Sequence, residues 1–64
     1  MNNMEVITIK KRIAQLKKER DDLFSIIDEV PFKDQFYLLE GIKDLTKTIE
    51  IHKKSLRGLL NEND

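Results

Sequence analysis

The sequence predicts an all-α fold: an antiparallel two-helix hairpin that pairs with a second copy of itself into a four-helix bundle. Three observations carry that expectation. The one proline, Pro31, stands near the middle of the 64 residues. On either side of it, apolar residues recur at alternating spacings of three and four. Both of the resulting apolar stripes are wider than a coiled-coil seam, as in helices that pack against two neighbours.

The first segment places Val6, Ile9, Ile13, Leu16, Leu23, Ile27 and Val30 on one seam, interrupted only by Arg20. This heptad series does not fit the alternation of a half-buried strand, and the Lys, Glu, Leu and Arg between its members are good helix formers. Asn2 followed by Glu5 has the form of a capping box with Asn in place of Ser or Thr, so the first helix is expected from about residue 3 to about residue 29. Pro31 disfavours helical geometry at Val30 and lacks an amide donor. The turn is therefore expected between about residues 29 and 34, with Asp34 as N-cap of a second helix from about 34 to 61. That helix carries Leu38, Ile42, Leu45, Ile49, Leu56 and Leu59 on its seam, interrupted by His52. After Asn61 come two acids, Glu62 and Asp64, at the negative end of a helix dipole, so the tail is expected to fray. With no repeat, low-complexity stretch or linker, residues 1–64 read as one domain.

So short a turn makes the helices antiparallel neighbours, and positions whose numbers sum to roughly 62 to 65 come side by side. Ile13 then faces Ile49, and Leu23 faces Leu39. The expected core comprises Ile9, Ile13, Leu16, Leu23 and Ile27 from the first helix and Leu38, Ile42, Leu45, Ile49 and Leu56 from the second. Beyond these seams the first helix adds Ile7, Ala14, Phe24 and Ile26, and the second adds Phe36, Tyr37, Leu39, Ile51 and Leu60. A chain this small buries only about 60% of its unfolded surface and usually needs disulfides, a metal or oligomerisation. There is no Cys and a single His, which leaves oligomerisation as a homodimer.

Twelve basic residues balance 12 acidic ones, whereas a dedicated nucleic-acid module shows a basic excess. No apolar run suggests a membrane span, and residues 1–10 lack the pattern of a signal peptide, so a cytoplasmic location is expected. Catalysis is not expected. Ser25 and Ser55 have no adjacent His, and Gly41 and Gly58 are too far apart for a phosphate loop. Asp21 with Asp22, and Asp28 with Glu29, are neighbours that a helix turns about 100° apart, which suits solvated charges better than an acid–base pair. No cofactor or metal is implied. His52 reads as a packed or partly exposed side chain; the alternatives are a pH-sensitive interface or a metal ligand completed by a partner subunit. Arg20 is expected to lay its stem on the seam and reach Glu40, Asp44 or a partner's carboxylate.

Two surfaces remain as candidate binding sites. Lys10, Lys11, Arg12, Lys17, Lys18 and Arg20 make the first helix locally basic, with Lys10 and Lys17, and Lys11 and Lys18, repeating at seven residues. This charged flank reads first as a solvated face, with an acidic protein partner or phosphate binding as alternatives. The second surface is the hairpin tip, where Phe24, Phe32, Phe36, Tyr37 and Leu39 crowd around the turn. They pack either in the homodimer or against another protein. Gly41, one turn further on, suits the close approach of another helix.

The segment Ile42, Lys43, Asp44, Leu45, Thr46 in the second helix resembles in position the Ser-Gln-x-Leu-Asp motif of the sporulation aspartyl-phosphate phosphatases, which are short two-helix hairpins. Here Ile42 stands in place of the Ser and Thr46 in place of the functional Asp. The resemblance covers the layout of both helices and implies, at most, a degenerate hairpin acting on a phosphorylated response regulator. The expectation from the residues themselves is a small, non-catalytic regulatory or inhibitory protein that binds a larger protein. The rival is a nucleic-acid-associated protein that uses the basic stripe.

Overall fold

The computed structural model describes residues 3–61, and every one of these except Val30 and Pro31 is helical. Helix α1 spans Asn3–Ile26, a 3-10 turn spans Ile27–Glu29, and α2 spans Phe32–Asn61. The two α-helices pack against each other along their length. Asn2 and the tail from Glu62 to Asp64 lie outside the described residues, and with them the capping-box and fraying expectations.

The turn is earlier and tighter than the sequence suggests. Helix α1 ends at Ile26 rather than near residue 29, and α2 begins at Phe32. Val30 is extended (φ −96°, ψ 140°), the conformation that a following proline imposes. Its N–H donates to the Ile27 carbonyl at 3.4 Å. Asp34 is not the N-cap. It sits inside the first turn of α2, where its backbone N–H donates to the Pro31 carbonyl at 2.8 Å. Its carboxylate still suits that end of the helix, because the unpaired amides there carry partial positive charge. Proline fits just ahead of these residues, since its missing N–H belongs to the helix end that has no acceptor anyway.

The side chain that closes the turn is Gln35, whose Nε2 donates to the Ile27 carbonyl at 3.0 Å and to the Val30 carbonyl at 3.2 Å. One amide group therefore ties the end of α1 and the turn to the start of α2. Carbonyls released where a helix ends need such partners.

The core is narrow. Ile13, Leu16 and Ile49 form its buried centre, with Ile9, Leu45 and Leu56 packed against them. Val6 and Ile42 are also buried, whereas Leu23, Ile27 and Leu38 are half-buried. Ile13 and Ile49 thus share one cluster, as their positions require. Leu23 lies against Gly41, two residues beyond the Leu39 that the numbering sets opposite it. A methyl group placed on Gly41 would come within 3.4 Å of Leu23 Cδ1, so Gly41 lies against Leu23, while Leu39 stands exposed beside the seam. The helix whose close approach Gly41 accommodates is α1 of the same chain.

The molecule is a rod of 50 × 14 × 11 Å with a radius of gyration of 15.0 Å, against about 11 Å for a compact domain of this length. Its accessible surface is 5039 Å², against roughly 4,300 Å² for a compact monomer of its mass. A single hairpin leaves one long side of each helix without cover.

Candidate functional site

Among the described residues, the polar side chains are dispersed along the two helices. Most bind within their own helix. The Ser25 hydroxyl donates to the Asp22 carbonyl at 2.7 Å, Thr46 to the Ile42 carbonyl at 2.8 Å, and Thr48 to the Asp44 carbonyl at 3.0 Å. Thr46, which stands where the phosphatase-like motif has its Asp, is thus engaged with the backbone. A concavity of about 280 Å³ at the open end is lined by Met4, Glu5, Thr8 and Ile9, all from α1, and it holds a single carboxylate. A catalytic pocket gathers several convergent polar groups.

His52 is half-buried, with its Nδ1 at 2.8 Å from the Thr48 carbonyl. A carbonyl only accepts, so Nδ1 carries the proton in this contact. Among the described residues, no group of three or more His, Cys, Asp or Glu could hold a metal ion. Arg20 keeps its stem on the seam, at 27% side-chain exposure, but it reaches neither Glu40 nor Asp44. Its Nε lies 3.6 Å from Asp21 Oδ1, on the neighbouring residue of the same helix.

The basic stripe is solvated. Lys18 pairs with Asp22 at 3.4 Å along the helix, whereas Lys10, Lys11 and Lys17 are exposed and have no ion-pair partner among the described residues. No helix among those residues is long and apolar enough to cross a membrane.

The apolar residues at the tip are the feature the fold leaves unresolved. Phe32 and Tyr37 are each 78% exposed, Phe36 is 64%, and Phe24 and Leu39 are about half exposed. Phe32 and Phe36 touch edge to face with ring centroids 6.2 Å apart, so part of the cluster is pre-assembled on one turn of α2. The exposed set continues away from the tip with Ile7, Ile51 and Leu60. Sequence reasoning found the tip aromatics but missed Gln35, which holds the turn that displays them. Extending the second seam back from Leu38 by three residues would have located it. Comparison with protein-family models, with curated proteins and with solved structures gives no match to this chain.

Proposed function

We propose that the chain is a small, non-catalytic regulatory or inhibitory protein that works by binding, as a homodimeric four-helix bundle whose remaining exposed surface engages a larger protein. The observation that carries this reading is the exposure of Phe24, Phe32, Phe36, Tyr37 and Leu39 around the turn of the hairpin. Exposed apolar clusters of this kind usually mark protein interfaces, and large aromatic side chains supply most of the binding energy there. Sedimentation equilibrium at ~10 µM tests the self-association half, for which a two-chain species is expected. A well-folded 7.6 kDa monomer would sink it.

Lys10, Lys11 and Lys17, exposed and without an ion-pair partner among the described residues, favour one rival, binding to nucleic-acid phosphates through α1. The aromatic residues lie elsewhere, so charge is offered without base stacking. Salt-dependent retention on DNA, lost on charge reversal at Lys10 and Lys17, would replace the protein-binding reading with this one.

A further inference from the structure

The exposed apolar side chains are not spread evenly around the rod. When Ile13 and Leu16 are lettered as seam positions a and d, and Ile49 and Leu45 likewise, Phe24, Phe32, Leu39 and Leu60 fall at position e. Ile7 and Phe36 fall at b, next to e. In an antiparallel pair the e positions of both helices lie on the same side of the seam, so these six exposed residues share one flank. They gather at its two ends: Ile7 and Leu60 at the open end, the others at the tip. Between them this flank carries Lys10, Ala14, Lys17 and Asp21 on α1. Ile26, Tyr37 and Ile51 belong to the opposite flank and Met4 to the outer face, so six of the ten exposed apolar side chains lie on the first flank.

Resting on the self-association reading above, we infer that this flank binds a second copy of the chain head to tail, each tip covering the other's open end. A two-fold axis that crosses α1 between Ala14 and Lys17 sets Ile7 against the partner's Phe24, Lys10 against the partner's Asp21, and Ala14 against the stem of the partner's Lys17. Ile13 clusters with Ile49 and Leu23 lies on Gly41, so the same rotation lays α2 on the partner's α2 and brings Phe36 to the partner's Leu60. An apolar pair forms at each end, Ile7 with Phe24 and Phe36 with Leu60, while Leu39 comes against the stem of the partner's Arg57, and between the ends Lys10 meets the partner's Asp21. The one like-charge approach, Lys43 to the partner's Lys53, is eased because Lys53 already lies 3.5 Å from Glu50. With both tips at one end, α1 would instead lie along the partner's α2. Phe24 would meet the partner's Leu39 and Asp21 the partner's Lys43, but Lys10 would face the partner's Lys53, Ile7 the partner's Arg57 and Phe36 the partner's Asp28, so only one apolar pair per copy is made instead of two. A flank of 50 × 14 Å buries on the order of 1,400 Å² over two copies, within the range of specific interfaces.

The chain has no Cys, so a single Lys33→Cys variant can carry a nitroxide label on the exposed outer face of α2, near the tip. In the head-to-tail dimer the two labels stand about 45 Å apart along the bundle, by the helical rise of 1.5 Å per residue. With tips together they stand within about 30 Å. The second measurement is charge exchange: Lys10→Asp or Asp21→Lys alone should weaken association on the order of tenfold, and the two together should restore it. A long label distance with charge rescue supports the arrangement. A dimer with the short distance overturns it and leaves self-association standing. A long distance without rescue places the contact on the other flank and also overturns it. A monomer at tens of micromolar overturns both this arrangement and the self-association on which it rests.

Discussion

Gln35 shows how much a single side chain contributes in a chain with so small a core. Its amide donates to two carbonyls at the turn, and both lose that partner if it is removed. Because the site is half-buried, replacement by water is incomplete, and Gln35→Ala should lower stability by about 1 to 2 kcal/mol, read from thermal unfolding by circular dichroism. No loss of stability would show that the turn is held by Pro31 and helix packing alone. The glycines give a contrast of opposite sign. Nothing lies within 4 Å of a methyl group added at Gly58, whereas at Gly41 it would meet Leu23 at 3.4 Å. Glycine in a helix interior is about 1 kcal/mol less favourable than Ala. Gly58→Ala should therefore stabilise the hairpin by up to about 1 kcal/mol, and Gly41→Ala by less, because Leu23 must shift. Equal gains at both sites would mean that Leu23 moves freely and the contact constrains nothing.

For the helices, the sequence was most informative where a periodic signal ran over many residues. Two seams of spacing three and four specify two helices and their mutual orientation, and Ile13, Leu16 and Ile49 form the buried centre where both seams are apolar. Legibility failed where structure depends on a contact across the turn. Gln35 stands one seam step before Leu38, but spacing does not show that its amide reaches back to the Ile27 and Val30 carbonyls, so the early end of α1 at Ile26 and the start of α2 at Phe32 could not be read from it. The same holds for Arg20. Its partner depended on how closely the two helices approach, and the neighbouring Asp21 was the nearer carboxylate. The tip aromatics were legible as an exposed cluster, but their occupant is not written in either helix alone. The narrowness of the core makes one strong prediction: Ile49, only 1% exposed, should not tolerate a charge. Burying an unpaired carboxylate costs several kcal/mol, comparable to the whole stability of a small domain, so Ile49→Asp should abolish cooperative melting. A cooperative transition with full helicity would show that the hairpin centre is wet.

Across the whole molecule, the rod dimensions and the surplus surface couple folding to association in the proposed dimer. When a chain buries part of its apolar surface only against a second copy, its melting temperature rises with concentration, because mass action favours the associated state. The wild-type chain should show this slope between about 1 and 100 µM. The two flanks then separate the tip residues, although Phe36 and Tyr37 are adjacent in sequence and both largely exposed in the hairpin. Phe36 stands on the flank assigned to the second copy and Tyr37 on the opposite one. Phe36→Ala should thus lower the melting temperature and strengthen its dependence on concentration, as weaker association moves the transition into the accessible range. Tyr37→Ala should leave both nearly unchanged, because its ring is 78% exposed and touches no second copy in this arrangement. If instead Tyr37→Ala shifts the curve and Phe36→Ala does not, the copies meet on the flank of Tyr37. Phe24, Phe32, Phe36 and Leu39 would then be the surface left for the larger protein. Either outcome divides the tip into a self-association face and a target face from melting curves alone, before any target is identified.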